Sequence, residues 1–90
     1  MITSNEPGLY LEGQYGIRLE NEVLCMEDEK GLYFETLTWC PWERDAIRKE
    51  LLSTDEIKWV DDYHKAAFET IGPLLDAETA DWLERAAKPL

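Results

Sequence analysis

Ninety residues, with twenty Asp plus Glu against nine Lys plus Arg, carry a formal net charge of −11. That balance argues against nucleic-acid and anionic-membrane partners, and the length argues against more than one full-sized core. A 44% hydrophobic fraction with four Trp and four Tyr is too apolar for a disordered acidic tail. No apolar run approaches the roughly 20 residues of a membrane span, and Met1 is not followed by a basic-then-apolar leader pattern.

In chain order, Met1 to Asn5 reads as a short strand broken by Glu6-Pro7-Gly8. Pro7 fixes its own φ and biases Glu6 toward an extended conformation, so the Glu6 side chain is presented stiffly. Gly13 and Gly16 allow a turn before a longer strand, Tyr15 to Met26. Along it Ile17, Leu19, Val23 and Cys25 alternate with Arg18, Glu20 and Glu22. Asp28 to Gly31 forms a turn into a second strand, Leu32 to Cys40, rich in aromatic and β-branched residues and ended by Pro41.

Helices follow. Ser53 and Glu56 have capping-box spacing, with Leu52 and Ile57 at the staple positions. Ile57, Val60, His64, Ala67, Phe68 and Ile71 recur at helical spacing, which places His64 on the buried face as a structural residue rather than a ligand. Gly72-Pro73 stops this helix, and Asp76 caps a shorter one through Trp82, Leu83, Ala86 and Ala87. The expected fold is therefore α+β: a small antiparallel sheet followed by two helices. Residues 1–45 should hold the strands and 46–90 the helical segment, packed together as one compact unit.

Cys25 and Cys40 are too few to staple a secreted fold and read as reduced, mostly buried thiols of a cytoplasmic chain. With one histidine and no CxxC pair, zinc is disfavoured. Glu6 and Glu20 stand apart from the other acids, one on a Pro-Gly bend and one in a strand beside Arg18. Two carboxylates meeting on one sheet face need a shared proton, an arginine or a hard divalent cation between them. By residue type alone, chance proximity among twenty acids is the simpler explanation.

Sequence motifs narrow this choice. Glu6-Pro7-Gly8-Leu9-Tyr10, followed by Gly16-Ile17-Arg18-Leu19-Glu20-Asn21, resembles the last two metal-binding motifs of the Xaa-Pro aminopeptidases, the aminopeptidase P branch of the pita-bread metallopeptidases. Tyr33 to Thr38, Pro41, Trp59, Tyr63-His64 and Trp82-Leu83 resemble the C-terminal segment of the longer, three-domain members. The resemblance implies the end of a pita-bread catalytic domain in a hydrolase that removes the N-terminal residue from peptides with proline second. It implies two divalent ions, commonly manganese, with Glu6 a ligand of one and the candidate general base. Glu20 would be the ligand that bridges both, and Arg18 a group that orients a ligand carboxylate.

The remaining ligands of that family, two Asp and one His, lie upstream of the Glu-Pro-Gly motif and are absent here; His64 matches a tail position instead. The expectation is a C-terminal fragment of a metal-dependent aminopeptidase, inactive and metal-free by itself, whose parent takes proline-containing peptides and forms a homodimer. The competing expectation is a stand-alone interaction or dimerisation module without catalysis.

Overall fold

Pro7 and the Leu19-Glu20 step interrupt what would otherwise be a single antiparallel ladder. A computed structural model describes all residues, Met1–Leu90. β1 (Ile2–Asn5) pairs with β4 (Asn21–Asp28), and β2 (Gly8–Leu11) pairs with β3 (Tyr15–Arg18). The partners Asn5–Asn21 and Gly8–Arg18 belong to one continuous register, so Pro7 falls opposite Leu19 and Glu6 opposite Glu20. Leu19 N–H donates to Pro7 O at 3.0 Å and holds the two halves together across the break.

The strand expected over Tyr15 to Met26 is thus two strands. Its side-chain alternation survives the break, which is why the sequence gives no sign of it. β5 (Gly31–Thr36) completes a three-stranded sheet in the order β1-β4-β5, while β2-β3 forms a separate two-stranded ribbon. Gly31, at φ 126°, supplies the turn between β4 and β5.

β5 ends before Pro41 is reached. Leu37 N–H still donates to Glu22 O at 2.9 Å, but the Thr38 hydroxyl then accepts the Glu22 N–H at 3.0 Å in place of a backbone carbonyl. Beyond it, Trp39 turns to stack on Tyr63, with ring centroids 5.6 Å apart.

The chain consequently forms two compact units, Met1–Thr38 and Trp39–Leu90. The division precedes the expected one after residue 45 because residues 39–42 bond and stack with the first helix. That helix, α1 (Thr54–Ile71), has the full capping box: Ser53 Oγ accepts from Glu56 N–H at 3.1 Å, and Glu56 Oε1 accepts from Ser53 N–H at 2.8 Å. A short 3₁₀ turn at Gly72–Leu74 leads to α2 (Ala77–Ala86), capped by Asp76 accepting from Thr79 N–H at 2.7 Å.

In the second unit Val60, Tyr63, Ala67, Leu83 and Ala87 are buried; in the first, only Val23 among the apolar residues reaches that level. Both cysteines are free, and Cys40, expected to be buried, is exposed because it sits on the irregular segment after β5. No helix is long and apolar enough to cross a membrane.

Candidate metal centre

Antiparallel pairing sets the site. Side chains directly opposite one another come within roughly 5 Å at Cβ, and like charges there are destabilising. Glu6 and Glu20 occupy such opposing positions at the break in the ladder. The alternation that puts Glu6 on one face puts Ser4 and Tyr10 there too, and opposite them Arg18.

The three residues singled out from the sequence are therefore brought together. Arg18 Nε lies 2.8 Å from Glu20 Oε2, in a half-exposed pair. The Ser4 hydroxyl and a hydrogen bond shared with the Glu20 carboxyl hold Glu6 below the usual carboxylate range, against desolvation and with a lesser contribution from the Arg18 charge. A bond between two carboxyl groups requires a proton, or another cation, between them. Their mutual approach is stable only with positive charge nearby, and Arg18 supplies part of it.

Tyr10 was not singled out in the sequence, yet it belongs to the cluster. Its hydroxyl accepts from Arg18, and this bond, followed by the charges of Glu20 and Glu6, raises Arg18 above its ordinary value. The ring lies over two glycines. A Cβ on Gly8 would fall 2.7 Å from the Tyr10 hydroxyl, and one on Gly16, its cross-strand partner, 2.8 Å from the ring. Any larger residue at either position would push the ring off and withdraw its hydroxyl from Arg18. The detectable signal was the pair of glycines placed around Tyr10 by the hairpin register.

As a donor set, Glu6 and Glu20 offer hard carboxylate oxygens suited to a divalent cation. No third His, Cys, Asp or Glu joins them. They fit such an ion as two of its ligands and not as a complete cage. His64 is fully buried, with its Nε2 accepting from Trp42 N–H at 3.1 Å.

Residues 30–90 match the protein family described as the C-terminal region of peptidase M24. Along its whole length the chain is 42% identical to a probable Xaa-Pro aminopeptidase P of Coprinopsis cinerea, of which it spans 16%. It is 36% identical to the Xaa-Pro aminopeptidase ApepP of Drosophila melanogaster, of which it spans 17%. Among solved structures, 99% of the chain superposes on the X-prolyl aminopeptidase of Caenorhabditis elegans, with a TM-score of 0.86 and 31% identity, again covering 16% of that protein. The latter is described as a cytosolic enzyme with a dinuclear active site.

Proposed function

The chain belongs to the peptidase M24 C-terminal region family, and on that premise we propose that it is the C-terminal part of a dinuclear-metal Xaa-Pro aminopeptidase. The observation that carries the reading is Glu6 directly opposite Glu20 at a break in one continuous register. A stand-alone interaction module gives no reason for two exposed carboxylates to face one another with an arginine paired to one of them.

In the parent, the remaining ligands would come from the preceding chain, with Glu6 and Glu20 supplying two of the carboxylate ligands. Two divalent ions, with manganese our assignment, would acidify the attacking water and polarise the scissile carbonyl before proline. Glu6 would serve as the base, its carboxylate holding the proton between the attacking water and the leaving nitrogen. Arg18, itself held by Tyr10, fixes the orientation of the Glu20 carboxylate.

The exposed apolar side chains of the sheet unit, among them Leu9, Ile17, Leu32 and Phe34, suit a surface covered by the rest of the catalytic domain. The helical unit serves packing and homodimer association in a cytoplasmic enzyme. The ninety residues alone, supplied with manganese, should not hydrolyse a Xaa-Pro peptide, whereas the whole parent should, and Glu20→Ala should abolish its turnover. Unchanged turnover by the whole enzyme carrying Glu20→Ala would overturn the assignment, as would hydrolysis by the isolated chain that survives the same change.

A further inference from the structure

Tyr63 and His64 are successive residues of α1, and both direct polar atoms onto the irregular backbone at the start of the second unit. Tyr63 Oη donates to Cys40 O at 3.0 Å and accepts from Cys40 N–H at 3.3 Å. His64 Nε2 accepts from Trp42 N–H at 3.1 Å. The Trp42 ring then stacks on Tyr63 and Trp59, with centroids 4.6 and 5.2 Å away. Residues 40–42 are thus held by two hydroxyl bonds, one imidazole bond and a ring stack.

The imidazole is the sensitive member. His64 is 0% exposed, and its Nδ1 has no hydrogen-bond partner. Accepting at Nε2 puts the proton of the neutral ring on Nδ1, where it is buried without an acceptor. The ring therefore holds Trp42 by a lone pair that a second proton would consume. A backbone N–H cannot reverse its role, so protonation at Nε2 sets two donors against each other in a site closed to solvent.

We propose that His64 is a proton-operated latch: neutral, it fastens Trp42 to α1, and protonated at Nε2 it evicts the Trp42 N–H and frees the segment at residues 40–42. The charges acting on it come from two elements. Arg44, in the 3₁₀ turn after that segment, opposes a second positive charge; Asp61, one turn earlier on α1, favours it. Tyr63 lies beside it as a neutral phenol whose ionisation is pushed up by burial, and Leu83 of α2 and Ala87 just beyond its end are buried apolar residues. Burial outweighs Asp61, so the imidazole stays below its ordinary value of 6.5. A lowered folded-state value means that the latch contributes its full stability above 6.5 and loses it as the pH falls through the lowered value. None of this depends on the peptidase reading.

His64 is the sole histidine, so its imidazole signals need no assignment. In the ¹⁵N-labelled chain, NMR should show the Nδ1-protonated ring at pH 7.5 and a protonation midpoint below 6.5. Tryptophan fluorescence should change over the same interval as the Trp42 stack opens. His64→Gln keeps an acceptor but cannot take the proton, so this pH-dependent fluorescence change should be lost. An Nε2-protonated ring at neutral pH, a midpoint at or above 6.5, or a fluorescence transition that persists unaltered in His64→Gln would each overturn the latch. If the Gln variant does not fold, tautomer and midpoint in the unaltered chain decide the matter alone.

Discussion

The two units solve opposite problems. The strand unit buries Val23 and little other apolar surface, yet keeps Glu6, Tyr10, Arg18 and Glu20 in fixed relation through backbone register. The helical unit buries Tyr63, Leu83 and His64 deeply. Positional accuracy in the first comes from hydrogen-bonded pairing, and cohesion in the second comes from packing. A site can therefore be laid out on a part of the chain that contributes little to stability.

The contrast is sharpest for large-to-small changes. Leu83→Ala, at a side chain 3% exposed, should destabilise the helical unit by about 2–5 kcal/mol in a denaturant titration. Leu32→Ala, at 74% exposed, should shift the same curve by less than about 0.5 kcal/mol. Equal losses would dissolve the distinction. In the strand unit the sensitive readout is activity: Tyr10→Phe in the whole parent enzyme should lower kcat/KM by roughly 10- to 100-fold, since it frees Arg18, while leaving the chain's unfolding midpoint in place.

Smaller effects follow at the element ends. Ser53→Ala removes the acceptor for Glu56 N–H and should cost the helical unit about 1 kcal/mol, read by loss of helical circular dichroism on heating. The least effect belongs to Glu6 in the metal-free chain. Its lowered pKa means a contribution present above the ordinary carboxylate value of 4.5 and lost as pH falls through the lowered one. Full exposure makes that loss slight, and Glu6→Gln should lower the strand unit's unfolding midpoint only slightly at neutral pH and leave it unchanged in acid, flattening the pH dependence.

Legibility in the sequence tracked the range of the interactions. The capping box at Ser53 and Glu56, the stop at Gly72-Pro73 and the cap at Asp76 are local and were readable directly. The interruption at Leu19-Glu20 was not, because alternation has the same phase on both sides of it. The unit boundary at Thr38 was hidden for a related reason: Trp39 and Trp42 suit a strand as well as they suit a stack, and only contact with Tyr63 in α1 distinguishes the two. Glu6, Glu20 and Arg18 stood out through the motifs they share with a known family, whereas Tyr10 required knowledge of which residue lies across the hairpin.

The shared register gives the hairpin turn at Leu11–Tyr15 an authority out of proportion to its distance from the acids. Gly13, at φ 72°, and the Gln14 N–H bond to Leu11 O fix its length. Were one residue deleted there, β3 would re-pair one step along, and Glu20 would point through to the opposite surface. The turn is in effect the gauge against which the acidic pair is cut, so insertions and deletions should be tolerated in the β4–β5 turn at Gly31 far better than here.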